Sequence, residues 1–362
     1  MKFYMPTKLY SESHCVQNHA AELAALGKHA LIVTGQNSSK QNGSLADVTN
    51  ALSEHHVQYT IFDRVEENPS VETVMAARTV GLECRADFVI GIGGGSPLDA
   101  AKAAALMMRH PEQEWQYLYE PSDSSAFPIA AVPTTCGTGS EVTGVSVLTR
   151  HDLQTKVSMT HKVFPTLALV DGTYILNAPR RILVNTAVDA LSHLIESCVN
   201  TSADLYSDMT AFAGLRMWGR CRPYIEGKTE LTASAAQALM DASALAGMSI
   251  AQTGTSIPHA LSYLLTYHGK IPHGTAVGMF QAGFLQLAEE SRRNAVLQAA
   301  GFTEIDDLRQ LIQALLPVQV EHSLLEQAAE AVLHHPAKLK TCPYPVNADV
   351  MQKIIADCKA MG

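Results

Sequence analysis

The sequence predicts two domains, an α/β domain with a parallel sheet over residues 1–180 and an all-helical domain over 181–362. Three observations predict it. Short runs rich in β-branched residues alternate with helical patterns up to about residue 180. The β signal then stops, and Ala-, Leu- and Met-rich helical segments follow. A glycine-rich turn joins an apolar run to a helix at GIGGGSPLDAAKAAA, as in nucleotide-binding sheets.

The strand-like runs are HALIVTG (29–35), VQYTIFD (57–63), ADFVIGIGGG (86–95), FPIAAVPTT (127–135) and TLALVDG (166–172). The helical patterns LADVTNALSEHH and SVETVMAARTVGLE lie between the early runs. Strand, crossover helix and strand in repetition imply parallel pairing with right-handed connections, hence a Rossmann-like sheet. VTGVSVLT (142–149) and TKVSMT (155–160) read as a local hairpin around HDLQ. The turn DGTYILNAPRR marks the boundary, and helices such as TAVDALSHLIESCVN and TASAAQALMDASALAGMSIAQ follow it. Ligand sites in such chains tend to fall in the cleft between the two layers.

Composition narrows the function classes. The chain has 362 residues, 47% of them hydrophobic, and 26 Lys+Arg stand against 35 Asp+Glu for a net charge of −9. That balance disfavours disorder, and also a nucleic-acid binder, which would carry a basic stripe. MKFYMPTKLY lacks the apolar core of a signal peptide, and no apolar run approaches the ~20 residues that cross a bilayer. Seven scattered cysteines without a CxxC pair fit reduced thiols. The expectation is a cytoplasmic protein with no membrane or nucleic-acid partner.

At 91–102 a strand runs into Gly93, Gly94 and Gly95, and Ser96-Pro97-Leu98-Asp99 opens a helix. Glycine allows close backbone approach, and the helix N-terminus offers free N–H groups and positive dipole, so a pyrophosphate would be stable there. The spacing departs from GxGxxG, and such a turn also occurs as a plain tight connection. After the first strand come Gly35, Asn37, Ser38, Ser39 and Lys40. An acid there would bind a ribose diol and repel a 2′-phosphate; hydroxyls and a lysine suit the phosphate, although a polar surface loop has the same composition. Pro133-Thr134-Thr135-Cys136-Gly137-Thr138-Gly139-Ser140 is a third donor-rich loop, able to meet a cofactor or simply to turn.

In the helical half, Asp189 and His193 are one turn apart on a shared face, and His259 and His273 follow in GTSIPHALSYLL and GKIPHGTAVG. Three imidazoles and a carboxylate in apolar surroundings suit Zn²⁺ or Fe²⁺ with a coordination position left for substrate. A solvated Asp–His pair and two unrelated histidines would read the same way by spacing. His268 lies close enough in sequence to His273 to share its pocket.

Taken together, the segments SSKQNGSLADV, EENPSVETV, GIGGGSPLDAAKA, PTTCGTGSEVT, VDALSHLIES, AGMSIAQTGTSIPHALSY and IPHGTAVGM resemble the iron-containing (group III) alcohol dehydrogenase family, of the dehydroquinate-synthase-like fold. The likeness runs from the first strand to about residue 280; beyond it the chain carries only helical character. The resemblance implies that Asp189, His193, His259 and His273 are metal ligands and that Gly94, Gly95, Ser96 and Asp99 form the pyrophosphate turn. It places Thr134, Thr135 and Thr138 toward the nicotinamide and Lys156 on the cofactor. NAD-preferring relatives carry an Asp after the first strand's Thr. Gly35 stands there in this chain, which implies NADP(H) over NAD(H). Many relatives carry a second His four residues after the third ligand. Tyr263 occupies that position, so the proton relay falls to Tyr263, His268 or solvent.

The implied chemistry is reversible hydride transfer between NADP(H) and a small alcohol or aldehyde, with Fe²⁺ or Zn²⁺ polarising the substrate oxygen. The family also implies a homodimer or higher homo-oligomer. Three alternatives remain: a zinc-dependent or metal-independent reductase acting on a glycerol-type or carboxylated substrate, a lyase of the dehydroquinate synthase type, and a nucleotide sensor without turnover. The lyase would want several Lys and Arg near the ligands, and the helical half has few there.

Overall fold

The computed structural model describes residues 3–359. The chain divides into two compact units. One comprises Met5–Ala178 with Thr232–Met240; the other comprises Met1–Tyr4, Pro179–Leu231 and Asp241–Gly362.

The first unit contains β1 (Lys8–Ser11), β2 (His29–Thr34), β3 (Gln58–Phe62), β4 (Phe88–Gly93), β5 (Ile129–Pro133), β6 (Val147–Arg150), β7 (Thr155–Ser158) and β8 (Leu167–Val170). Six of them form one sheet in the order β1-β8-β5-β4-β2-β3, with every neighbouring pair parallel. β6 and β7 form an antiparallel hairpin. The central strands are near-continuous apolar runs because both faces are covered. Leu31, Val33 and Val89 enter one core with the helices Val71–Glu83 and Gly95–Arg109. Ala30, Ile32, Phe88, Ile90 and Ile92 enter a second core with the helix Ser44–Glu54. The register Thr34↔Ile92 and Gly93↔Pro133 brings the C-terminal ends of β2, β4 and β5 side by side. Segments 35–40, 94–99 and 134–140 therefore leave the sheet along one edge, where doubly wound sheets bind ligands.

Two features differ from the sequence expectation. β1 begins within MKFYMPTKLY; its four residues are exposed or half-exposed and show no apolar alternation, so its place at the sheet edge comes from pairing with β8 alone. The hairpin begins at Val147 rather than 142, because Asp99 captures the loop just before it: Val147 N–H donates to Asp99 Oδ2 at 2.8 Å, and Ser146 Oγ donates to the Asp99 carbonyl.

Residues 232–240 return to the α/β unit for a visible reason. Gly172 N–H donates to Gln237 Oε1 at 2.8 Å, and Gln237 Nε2 donates to Ser11 Oγ at 2.7 Å. A Cβ on Gly172 would lie 2.4 Å from the Gln237 nitrogen, so only glycine lets the helix start sit there.

Among its described residues, the second unit's secondary-structure elements are all helices. Its main helices are Arg180–Val199, Leu205–Ile225, the part of Ala233–Thr253 from Asp241 on, Ile257–Tyr267 and His273–Gly278. Arg180–Val199 is the one described helix long and apolar enough to cross a membrane by length and composition, and 89% of its apolar window is buried within the protein. It is the core helix of this unit.

Candidate metal centre and nucleotide cradle

The Arg180–Val199 helix carries Asp189, His193 and Glu196 at spacings of four and three, so all three project from one face. His259 enters from the first turn of Ile257–Tyr267, where Pro258 suits the helix start. His273 opens the helix His273–Gly278 directly after Pro272. That turn sits tightly against the core helix: a Cβ on Gly274 would lie 1.9 Å from the Asn185 carbonyl oxygen. Asn185 Nδ2 donates to Thr275 Oγ1 at 2.7 Å, and Thr275 N–H donates back to Asn185 Oδ1. Glycine at 274 thus brings His273 up to the helix that bears Asp189.

The donor atoms converge. Asp189, His193 and His259 are buried, and one ligand atom from each lies within 4.8 Å of the others. The His193 and His259 rings stack at 4.3 Å. Asp189 Oδ1 stands 3.6 Å from His259 Nε2 and 3.7 Å from His273 Nε2, whose side chain is 27% exposed and forms the open side. Burial works to raise the Asp189 carboxyl, but the imidazoles of His193, His273 and His259 outweigh it and hold the group well below the usual carboxylate range.

The group fits a divalent cation. Asp189 Oδ1 and His259 Nε2 are both buried with no hydrogen-bond partner, an arrangement that costs free energy unless something else fills the gap. A separation of 3.6 Å is too long for a hydrogen bond. It is close to the roughly 3.4 Å between two donors that share a tetrahedral cation at about 2.1 Å. The donor set, nitrogen and one carboxylate oxygen, matches Zn²⁺ or Fe²⁺.

Sequence reasoning missed Glu196. It is wholly buried; its Oε1 accepts from His259 Nδ1 at 2.6 Å and from Gln281 Nε2 at 2.8 Å, and its Oε2 accepts from Ser256 N–H at 2.6 Å. The Asp189–His193–Glu196 spacing was the available signal. His268 falls outside the group: it is exposed beyond the end of its helix, with its ring edge-on to Tyr267 at 4.9 Å. Tyr263 is half-buried, one turn beyond His259 on the same helix.

In the α/β unit the glycine turn and the 134–140 loop close on one another. Thr134 is buried and its N–H donates to the Gly93 carbonyl at 2.9 Å. A Cβ on Gly94 would meet Thr135 Oγ1 at 3.1 Å, and one on Gly95 would meet Thr138 Cγ2 at 2.6 Å. The side chains of Thr135 and Thr138 therefore border the start of the helix Gly95–Arg109, leaving a cradle bare of side chains at 94 and 95. Ser96 Oγ accepts from Asn68 N–H at 3.0 Å, and Asn68 Oδ1 accepts from Lys156 Nζ at 3.3 Å. Asn68, in the left-handed region at φ 58°, joins two residues that the sequence had assigned separately.

Three of the residues singled out in the sequence have protein partners here. Asp99 Oδ1 accepts from Ser140 Oγ at 2.5 Å and Oδ2 from Val147 N–H, so it fastens the loop to the helix. Ser39 is fully buried and its hydroxyl accepts from Thr34 Oγ1 at 2.8 Å. Lys40 Nζ is paired with Asp63 Oδ2 at 2.6 Å, a partner from the end of β3 that no local reading of 35–40 reveals. Asn37 and Ser38 remain exposed at this edge, beside the half-exposed Gly35.

Comparison with known proteins agrees with this geometry. Residues 6–172 match the family described as iron-containing alcohol dehydrogenase, and residues 183–357 match the C-terminal part of the Fe-containing alcohol dehydrogenase family. The chain belongs to the iron-containing alcohol dehydrogenase family. It is 30% identical over 315 residues to a probable alcohol dehydrogenase, EutG, of Salmonella typhimurium, covering 86% of this chain and 79% of that protein. It is 29% identical over 286 residues to an NADPH-dependent butanol dehydrogenase of Clostridium saccharobutylicum, covering 77% and 72%. An iron-containing alcohol dehydrogenase from Thermotoga maritima superposes with a TM-score of 0.90 at 34% identity, over 99% of each chain. The protein is thus an NAD(P)-dependent alcohol oxidoreductase, and its family implies both a metal and a nicotinamide cofactor.

Proposed function

We propose that this alcohol dehydrogenase transfers hydride reversibly between NADP(H) and a small alcohol or aldehyde, with Fe²⁺ or Zn²⁺ held by Asp189, His193, His259 and His273. The observation that carries the reading is the buried pair Asp189 Oδ1 and His259 Nε2, unpartnered and 3.6 Å apart within a three-imidazole, one-carboxylate cluster. When bound, the cation supplies Lewis acidity toward the substrate oxygen and the nicotinamide exchanges the hydride.

The chain's own residues prepare that chemistry. Asp189 brings the negative charge that offsets the cation, and the apolar burial of its helix keeps competing water away. His273, on the open side, marks where substrate approaches. Tyr263, one turn from His259, is the residue we assign to proton transfer to and from the substrate oxygen; His268 lies too exposed to share the task. Gly94, Gly95 and the N–H groups that open the next helix would hold the pyrophosphate, the N–H groups donating to its oxygens. Thr135, Thr138 and Lys156 border that cradle. For NADP(H), support comes from Gly35 in place of an acid, from Asn37, Ser38 and Lys40 beside it, and from the NADPH-dependent butanol dehydrogenase among the relatives.

The test is metal content of anaerobically purified protein, with NADPH and NADH oxidation followed over short aldehydes before and after chelation. About one ion per chain, with activity lost on chelation and restored by Fe²⁺ or Zn²⁺, is expected. Turnover by metal-free protein would overturn the four-ligand assignment.

A further inference from the structure

Glu196 has no part in the ligand set, yet it is among the most thoroughly bonded charged groups in the helical unit. Its three hydrogen bonds reach three different segments: the turn before Ile257–Tyr267 through Ser256 N–H, His259 itself through Nδ1, and the helix Gln281–Gln286 through Gln281 Nε2. An ionised carboxylate only accepts hydrogen bonds, so the proton of the His259–Glu196 bond sits on Nδ1. The remaining nitrogen, Nε2, then carries its lone pair, and this is the buried, unpartnered atom that faces Asp189 Oδ1 at 3.6 Å. We propose that Glu196 is the positioning residue of the metal centre, fixing the tautomer and aim of His259 and adding a second buried negative charge that strengthens retention of the cation.

The turn that Glu196 holds is braced from outside as well. Thr341 Oγ1 donates to Ser256 Oγ at 3.1 Å, and Lys338 Nζ donates to Thr255 Oγ1 at 2.7 Å. Segment 338–341 thus supports the backbone that delivers Ser256 N–H to the carboxylate. With a cation bound, the imidazole and its carboxylate would form a chain to it in which the outer charge raises the basicity of the inner ligand; losing such a partner typically weakens metal binding about ten- to a hundred-fold.

This inference rests on the four-ligand reading above. Zn²⁺ alone is titrated against a chromophoric chelator into metal-free wild type, Glu196→Gln and Glu196→Asp, with NADP⁺ binding measured on each as a check of fold. The expected result is about ten- to a hundred-fold weaker Zn²⁺ binding in Glu196→Gln, partial recovery in Glu196→Asp, and unchanged NADP⁺ binding. Co²⁺ substitution should also shift the visible d–d bands of Glu196→Gln relative to wild type. Wild-type Zn²⁺ affinity and an unshifted Co²⁺ spectrum in a folded Glu196→Gln would overturn the proposal. Equal loss in Gln and Asp variants together with lost NADP⁺ binding would also overturn it, by making the residue merely structural. A wild type that binds no Zn²⁺ or Co²⁺ would instead remove the four-ligand reading itself.

Discussion

In the α/β unit, Lys102 is fully buried and its ammonium donates to Ser140 Oγ at 2.6 Å, to Thr143 Oγ1 at 3.2 Å and to the Val145 carbonyl at 2.7 Å. Its neighbour Asp99 is satisfied on both oxygens by Ser140 and Val147. In the helical unit, Asp189 and His259 are buried just as deeply, but each keeps an atom that no protein group satisfies. Both clusters place charge in an apolar interior, where an unpaired group is costly. The first is closed and serves the fold; the second is open and fits a cation. Burial of charge alone does not separate a scaffold from a site; the bookkeeping of partner atoms does.

The largest effects should come from the open cluster and appear in function. Asp189→Asn or His273→Ala should lower turnover by about 10³-fold or more, since a Lewis acid is worth several kcal/mol in the transition state. NADP⁺ binding, measured by fluorescence titration, should survive, because the ligands and the cradle belong to different units. Loss of NADP⁺ binding in a folded Asp189→Asn would break the division between the two clusters.

The closed cluster should answer in stability. Lys102→Met leaves the partly buried Asp99 without its cation at 3.6 Å and strips Ser140, Thr143 and the Val145 carbonyl of their donor; breaking a fully buried pair costs about 3–5 kcal/mol, and about 2–3 kcal/mol is expected for this one. Chemical denaturation should show that loss, with a raised KM for the nucleotide as the 138–147 loop loosens. An unfolding midpoint within error of wild type would mean the ammonium is not structural.

A third expectation concerns pH. Burial pushes the Glu141 carboxyl up to about 7 from an ordinary 4.5, against its own backbone N–H and the Lys102 charge. Between those values the folded chain keeps a proton that the unfolded chain has lost, so this group's contribution to stability falls as pH rises from about 4.5 to about 7. The loss is about 3 kcal/mol at most. Glu141→Gln should flatten that part of the stability–pH curve. Parallel curves for wild type and variant would place the carboxyl in ordinary solvent-like surroundings.

How much of this was visible in the sequence follows from how local each signal is. The β2, β4, β5 and β8 strands were legible because strands covered on both faces write their burial into consecutive apolar residues, whereas the mostly exposed edge strand β3 was legible from its β-branched and aromatic run. β1 was not, since an edge strand of four half-exposed residues is specified by its neighbour. Type and spacing singled out Asp189, His193, His259 and His273 without separating a shared site from coincidence, which the family resemblance did, whereas the hydrogen bond from His259 to Glu196 spans 63 positions and exists only once the helices pack. Asp99 shows the same limit: its protein partners, Ser140 and Val147, lie more than 40 positions away, so no local reading of the helix start reveals them.

Lys40 sits between the two kinds of cluster, and its test is the finest. It follows β2 where a 2′-phosphate is expected, but the ammonium is already paired with Asp63 at 2.6 Å, both groups lying at the surface with side chains 49% and 41% exposed. A pair that open to water is worth little, so a dianionic phosphate can compete for the lysine, at a small cost set by the carboxylate it displaces. Asp63→Asn removes that competitor and a like charge beside the phosphate. NADP⁺ affinity should rise by about two- to five-fold, most clearly at low ionic strength, while NAD⁺ affinity stays constant. Lys40→Ala should move NADP⁺ in the opposite direction. If Asp63→Asn leaves NADP⁺ binding unchanged while Lys40→Ala weakens NAD⁺ and NADP⁺ equally, Lys40 belongs with the closed scaffold and the 2′-phosphate is read by Asn37 and Ser38 alone.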